Sequence, residues 1–298
     1  MYEADDPRAG LATATRQASP SSAFGASSYG RFYETDPQEE GEGYRTWYTR
    51  GQNFVVCYSE VEPGAVFERA GQPDEYVLLL HDAGMSATVE ANGETRRIEG
   101  GSITMVPPGT SRITATAGGR LIRLITTGSA DIVAKAPNNE AYAGPHPQIP
   151  PLEPWPQPQD GWKIRSYSLD VPDEEGRFGK IFRCTTFMVN VFPPQGPRDV
   201  TRLSPHHHDD FEQGSLALEG FYMHHLRWPW TANQHEWRDD EHERCAAPSV
   251  CVIPPRVIHT SAPSAPGENV LVDIFSPPRE DFSDMPGWVL NAADYPRK

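Results

Sequence analysis

The sequence lacks long apolar runs and has little positive charge. Long apolar runs are typical of membrane proteins, and positive charge is typical of proteins that bind nucleic acids. No window of its 298 residues approaches the roughly 18 uninterrupted apolar residues of a membrane-spanning helix. Lysine and arginine number 26 against 41 acidic residues, a formal net charge of -15, so the basic surface that binds a phosphate backbone is lacking. The acidic N-terminus also lacks the apolar core of a secretory signal. We therefore expect a cytoplasmic protein with a small-molecule partner, and neither a nucleic acid nor a membrane as partner.

Cysteine pairs and helical periodicity are equally scarce. The four cysteines, Cys57, Cys184, Cys245 and Cys251, form no CxxC pair and no zinc-finger spacing, which indicates reduced, buried thiols. No long stretch repeats apolar residues at helical spacing, and 30 prolines and 25 glycines interrupt the chain. This pattern predicts an all-β protein of many short strands.

Strand-like segments form two groups on either side of a proline-rich stretch. The stretch 137–160 holds eight prolines and predicts a stiff, extended connector. We divide the chain accordingly into five parts. They are an N-terminal tail, flexible or draped over a neighbour (1–42), a first β module (43–136), a linker (137–162), a second β module (163–280) and a C-terminal tail (281–298).

The two modules repeat the same order of elements. Pro107-Pro108-Gly109 in the first and Pro254-Pro255-Arg256 in the second each follow a strand-like segment at the same distance, which indicates an internal duplication. The modules differ in histidine content, because eight of the ten histidines lie between 206 and 259. The chemistry is therefore expected in the second module.

A group of polar residues in the second module has metal-ligand character. His206 and His208 lie on one face of an extended strand, and His207 lies on the other. His259 follows a strand closed by two prolines. For a fourth ligand the pleat allows Gln213 or Glu212 but not both. We favour Gln213, because with Glu212 inward Leu216 would turn into a polar pocket. Three imidazoles and an amide oxygen leave open coordination positions, as in catalytic sites.

These residues resemble the two motifs of the cupin superfamily, G-x5-H-x-H-x3,4-E-x6-G and G-x5-P-x-G-x2-H. His206, His208, Gln213 and Gly220 match the spacing of the first motif, and Pro254, Arg256 and His259 that of the second. The sequence departs from the motifs at Gln213, at Arg256, and at Val200 and Pro248, which stand where the leading glycines are usual. The resemblance implies a bicupin: two jelly-roll β-barrels in tandem, with metal only in the C-terminal barrel, and a homodimer.

The positions in the first module that correspond to the four ligands are Ala70, Gln72, Val77 and Arg112. None is a histidine, so we expect no metal there and a packing role for this barrel. An alternative is that Arg112 and Gln72 bind a small anion.

What the resemblance implies about function is a metal-dependent enzyme with one divalent transition metal ion. Fe(II) is favoured, and Zn, Ni or Mn are possible. The favoured activity is an Fe(II)-type dioxygenase acting on an aromatic or diketone-like compound. The alternatives are a non-oxidative isomerase or lyase for a sugar or organic acid, and a non-catalytic ligand-binding or storage bicupin.

The segment after Gly220 supplies candidate catalytic residues. Either His224 or His225 must face inward, where it would act as acid or base near the metal or fill the core, and parity alone does not choose. Tyr222 and Arg227 are candidates for orienting a substrate. A long loop with Trp228, Trp230 and Trp237 forms either a lid over the pocket or a cover for the barrel end or a dimer contact.

Overall fold

The computed structural model describes residues 25–144 and 146–298. Within these ranges twenty β-strands form four antiparallel sheets, and helices are limited to short turns. The predicted all-β class is therefore confirmed. The helical turns are α1 (Ala130–Val133), α2 (Glu280–Asp284) and two 3-10 turns, Asn139–Tyr142 and Gln234–Glu236.

The N-terminal barrel consists of a seven-stranded and a four-stranded sheet. The larger sheet has the order β12-β9-β6-β11-β4-β3-β2. Its strands are β2 (Glu39–Gly41), β3 (Tyr44–Arg50), β4 (Phe54–Val61), β6 (Tyr76–Leu80), β9 (Ser102–Val106), β11 (Gly119–Thr126) and β12 (Arg165–Ser168). The smaller sheet, β5-β10-β7-β8, contains β5 (Val66–Gln72), β7 (Ser86–Ala91), β8 (Glu94–Glu99) and β10 (Gly109–Ala115).

The C-terminal barrel repeats this plan with six and three strands. Its larger sheet has the order β1-β18-β15-β20-β14-β13. The strands are β1 (Ser28–Arg31), β13 (Lys180–Arg183), β14 (Met188–Val191), β15 (Gln213–Glu219), β18 (Ser249–Ile253) and β20 (Val270–Phe275). The smaller sheet, β17-β16-β19, contains β16 (Phe221–Arg227), β17 (Glu241–Ala246) and β19 (Ile258–Pro263).

Each barrel receives one edge strand from the other half of the chain. Strand β1 pairs with β18 of the C-terminal barrel, and β12 pairs with β9 of the N-terminal barrel. The limits therefore differ from those expected from the sequence, because part of the expected tail 1–42 and the first strand after the linker both belong to the other barrel's sheet. Pairing satisfies the backbone groups of two otherwise open sheet edges. Residues 1–24 of that expected tail lie outside the described residues.

The two barrels pack through their larger sheets. Alternate residues of β11 point in opposite directions: Leu121 and Ile125 face the interior of the N-terminal barrel, and Ile122 and Leu124 face the other barrel. Leu216 and Leu218 of β15 join the same inter-barrel core. This apolar interface agrees with the packing role expected of the N-terminal barrel.

The contacts at this interface also repeat. The carboxylate of Glu75, just before β6, accepts hydrogen bonds from the Thr185 backbone amide (3.0 Å) and the Tyr295 hydroxyl (2.7 Å). The carboxylate of Glu212, just before β15, accepts them from the Gln52 backbone amide and the Tyr142 hydroxyl (3.0 Å). Each barrel therefore extends one buried glutamate onto the other barrel. This reciprocity is structural evidence for the duplication.

A second pair of contacts follows the same symmetry. The Asn138 side chain accepts a hydrogen bond from the backbone amide of Arg50 and donates one to its carbonyl oxygen. The Asn291 side chain makes the same two hydrogen bonds with the backbone of Arg183. Residues 281–298, expected as a tail, therefore lie against the barrels, with Phe282, Trp288 and Tyr295 buried.

All four cysteines are buried and unpaired, as the spacing predicted. Within the described residues, no helix has both the length and the apolar character needed to cross a bilayer.

Candidate metal centre

His206, His208 and His259 converge in the C-terminal barrel. His206 and His259 face each other across an antiparallel bridge, with backbone N–H···O distances of 3.0 and 2.7 Å. The carbonyl of His208 accepts a hydrogen bond from the Arg256 amide. The ring centroids are 4.4 Å (206 to 259), 4.8 Å (208 to 259) and 5.2 Å (206 to 208) apart. The backbone therefore ties the segment before β15 to the start of β19.

Backbone carbonyls select the tautomer of two of these rings. Nδ1 of His206 lies 3.0 Å from the Ser204 carbonyl oxygen, and Nδ1 of His259 lies 2.9 Å from that of Val257. A carbonyl only accepts, so Nδ1 carries the proton in both rings and Nε2 keeps its lone pair. This is the usual state of a metal-binding histidine.

The residues fit a metal ion. One candidate ligand nitrogen from each of the three rings lies within 4.8 Å of the other two, the only such group of histidine, cysteine and acidic side chains among the described residues. Nitrogens that share an ion at about 2.1 Å lie about 3 to 4 Å apart. Small ring rotations therefore suffice for a shared ion.

Gln213, and not Glu212, faces the barrel interior. The Gln213 amide nitrogen donates to the Ser215 hydroxyl (2.8 Å) and to the Asp273 carboxylate (3.0 Å). This leaves the side-chain carbonyl oxygen as the atom of Gln213 that could coordinate an ion. Glu212 points to the N-terminal barrel, where burial raises the pKa of its carboxyl to about 7. The pleat separates the two neighbours, as expected.

The backbone conformation of Arg256 accounts for the glycine that is usual at this position of the second motif. Arg256 has φ +65°, and Gly109, its counterpart in the first barrel, has φ +104°. Both turns need the left-handed region, where glycine is least strained and other residues cost about 1 kcal/mol or more.

Aromatic side chains surround His208. Its ring stacks on Phe211 with a centroid distance of 4.4 Å, and Phe275 meets it edge to face at 6.1 Å. The buried guanidinium of Arg279 covers the outer side of Phe211 at 4.6 Å. The wall beside this ligand is therefore apolar and aromatic.

Strand β16 directs His224 inward and His225 outward. Tyr222 and His224 are buried, and Nδ1 of His224 lies 2.8 Å from the Ser261 hydroxyl. Burial, and secondarily the neighbouring His259, lowers the pKa of His224 to about 3. The ring is therefore neutral at neutral pH and can act as a hydrogen-bonding group or a base. The expected role as acid or base near the metal stays a prediction.

Two of the four expected catalytic residues lie on the outer face of this sheet. Nδ1 of His225 is 2.7 Å from Nδ1 of His242 on β17, and Arg227 forms an exposed ion pair with Asp240 at 2.7 Å. The structure thus resolves the open choice in favour of His224 and places Arg227 away from the barrel interior, because the strand alternates and its even-numbered residues face inward.

The tryptophans of the long loop divide between core and surface. Trp228 is buried against Leu226 and Cys251. Trp230 and Trp237 stack on each other on the surface at 4.7 Å, and Trp230 is 77% exposed. Trp228 thus covers the barrel, as one of the two readings expected.

The N-terminal barrel has different residues at the equivalent positions. Tyr76 pairs with Val106 and Gln213 pairs with Ile253, in each case just before the two prolines, so Tyr76 corresponds to Gln213. The cross-strand pair Arg69 and Ser111 corresponds to His206 and His259. The correspondences expected at Ala70, Val77 and Arg112 are therefore wrong by one residue. For Ala70 and Arg112 the cause is the register shift between Gly109 and Ser111.

Nothing in this set resembles a metal centre. The Tyr76 hydroxyl lies 2.8 Å from that of Ser111, and Nε of Arg69 donates to Gln72 at 2.8 Å. Arg112 is on the outer face, paired with Glu68, so it does not share an anion with Gln72.

Comparison with solved structures identifies the fold. No protein-family model and no curated protein sequence matches the chain. AerE from Microcystis aeruginosa is similar in structure, with a TM-score of 0.55 at 11% identity over 86% of this chain and 99% of that one. The oxalate decarboxylase of Lactobacillus farciminis, in a formate complex, has a TM-score of 0.54 at 15% identity over 88% of each chain. Vicilin from hazelnut, Corylus avellana, has a TM-score of 0.55 at 11% identity over 83% of this chain and 84% of that one. The chain has the cupin fold, as its motifs predicted.

Proposed function

We propose that the C-terminal barrel binds one divalent transition metal ion and that the protein is a metal-dependent enzyme for a small organic substrate. The observation that carries this proposal is the convergence of His206, His208 and His259, with two Nδ1 atoms bonded to backbone carbonyls. The carbonyl oxygen of Gln213 is the proposed fourth ligand. Four protein ligands leave one or two positions for substrate or water.

The proposed ligand set is neutral. Three imidazoles and an amide leave a divalent ion its full charge, which favours an anionic or enediol-like substrate. The carboxylate of Asp273 accepts a hydrogen bond from the amide nitrogen of Gln213, the proposed fourth ligand. Its carboxylate orients that amide and lies outside the proposed ligand set.

Within this class we propose an Fe(II)-type dioxygenase for an aromatic or diketone-like compound. The apolar surroundings of His208, formed by Phe211 and Phe275, support it, because they favour an apolar ring over a charged group near this histidine. When bound, iron in such a site supplies a shared binding place for substrate and O2. His224, neutral and held by Ser261, is positioned to orient a substrate through a hydrogen bond.

A non-oxidative isomerase or lyase for a sugar or organic acid is the second candidate. The neutral ligand set favours it, since Zn, Ni or Mn with full charge is a strong Lewis acid.

Elemental analysis of protein purified without a histidine tag tests the metal, and two assays test the reaction. Iron with oxygen uptake on catechols or β-diketones supports the dioxygenase. Anaerobic turnover of sugars or organic acids supports the second candidate. A bound metal without turnover would identify a binding protein, and failure to bind any divalent metal would overturn the proposal.

A further inference from the structure

The N-terminal barrel contains a buried positive charge for which the described residues, 25–144 and 146–298, supply no counter-ion. Arg123, in the middle of β11, is 4% exposed and points into the barrel interior. Among the described residues it forms no hydrogen bond and no ion pair, and its Nε is fully enclosed. Its guanidinium lies over the Phe67 ring, 4.2 Å from the centroid. A buried charge without a partner is strongly unfavourable, so a missing partner is expected at this place.

The equivalent position in the C-terminal barrel carries the opposite charge to Arg123. Arg123 pairs with Leu78 of β6, and Asp273 pairs with Ser215 of β15. Because Tyr76 corresponds to Gln213, Leu78 corresponds to Ser215 and Arg123 to Asp273. The same interior position therefore carries a negative charge in the barrel that has a cation site, and a positive charge in the other barrel. Opposite charge at one position indicates opposite charge in the ligand.

The other polar groups of this interior already have partners. Both terminal nitrogens of Arg69 donate to Asp131, and its Nε donates to Gln72. The Tyr76 hydroxyl is bonded to Ser111. Arg123 is thus left as the group that lacks an anion.

An open cleft lies near this position. Arg69 and Ser111 line an open cleft of about 820 Å³, whose lining also includes the outer-face residues Glu68 and Arg112. On the same two strands the next inward pair is Phe67 and Ile113, one rung of about 7 Å further in. Phe67 is the ring beneath Arg123. Arg123 itself does not line the cleft, so a ligand would reach the guanidinium by passing Arg69 and Ser111.

We propose that the N-terminal barrel binds a small monocarboxylate on Arg123. A guanidinium edge matches one carboxylate through two parallel hydrogen bonds. A single uncompensated charge favours a monoanion, since a doubly charged anion would be left half-neutralised in an apolar interior. The walls, which include Leu78, Leu121 and Ile125, fit a ligand with an apolar body.

The test measures the thermal unfolding midpoint in the presence of EDTA, so that no metal in the C-terminal barrel can bind the probe. Probes are acetate, isobutyrate and benzoate, with chloride and sulfate as controls. A carboxylate about a hundredfold above its Kd should raise the midpoint by roughly 5 °C. Arg123→Met should abolish the shift, whereas Arg112→Met, which removes an exposed and paired arginine, and His259→Ala should keep it.

A second variant, Arg123→Lys, keeps the proposal testable if Arg123→Met fails to fold. It keeps the charge and loses the planar fork, so a folded Lys variant should bind the carboxylate at least about tenfold more weakly by calorimetry. The proposal is overturned if no carboxylate binds the wild type, if chloride gives the same shift, or if Arg123→Lys binds like the wild type. Because the metal is removed throughout, this result is independent of the proposed enzyme activity.

Discussion

The two barrels have different side chains in their interiors but the same kinds of contact at the interface between them. At the equivalent inward positions, the C-terminal barrel has His206, His259 and Asp273 where the N-terminal barrel has Arg69, Ser111 and Arg123. At the interface, by contrast, both barrels present a buried glutamate to a backbone amide and a tyrosine hydroxyl. Residues that join the barrels kept their chemistry after duplication, and residues inside the barrels changed it. The two interiors have thus diverged in chemistry while the interface between the barrels has not.

The largest expected effect tests the interior of the C-terminal barrel. His208→Ala should lower metal affinity at least about a hundredfold, because one of the few protein ligands is lost. Metal content and a chelator competition measure it. His207→Ala is the matched control, since that neighbouring side chain is 52% exposed and should leave affinity unchanged. Equal loss in both variants would contradict the assignment.

The shared interface predicts a pH dependence. Burial raises the pKa of Glu75 and raises that of Glu212 to about 7, above the ordinary value of 4.5. The folded state therefore holds these protons more tightly than the unfolded state. For Glu212 the resulting stabilisation is complete below about pH 4.5 and is lost as the pH rises through about 7; for Glu75 the stabilisation changes in the same direction.

Glu212→Gln and Glu75→Gln should each remove that loss. For Glu212 the free energy of unfolding of wild type relative to variant should fall by on the order of 3 kcal/mol between pH 4.5 and 7.5. Urea unfolding of metal-free protein at several pH values measures it. Parallel curves for wild type and variant would show that these carboxyls are not protonated in the folded state.

A smaller effect distinguishes the two interiors at one equivalent position. Asp273→Asn removes the charge next to the Gln213 amide and should lower metal affinity by about tenfold. Arg123→Met, at the same position of the other barrel, should leave metal affinity unchanged. A similar loss in both variants would mean that the effect is general destabilisation.

The smallest effect tests the direction of β16. His225→Ala should change turnover by less than about twofold, because that ring lies on the outer face beside His242. His224→Ala should lower kcat/KM severalfold through loss of the hydrogen-bonding group beside Ser261. The reverse order would place the outer histidine in the reaction.

Much of this fold followed from local pattern. Proline and glycine frequency predicted short strands, the repeated Pro-Pro segments predicted duplication, and the spacing of His206, His208 and His259 predicted a metal site. The assignment of Arg112 was wrong because one irregular residue pair near Gly109 shifts the register. A bulge of this kind has no reliable local signal.

The sequence by itself determined which residue types recur at which spacing, and hence the strand class, the two halves and the group of three histidines. Only the tertiary structure decided which histidine of β16 faces inward, which barrel β1 and β12 complete, where Glu212 points, and that Arg123 and Asp273 occupy one equivalent position. The reason is that alternation along a strand fixes relative sidedness alone. Absolute direction depends on pairing with strands far away in the chain.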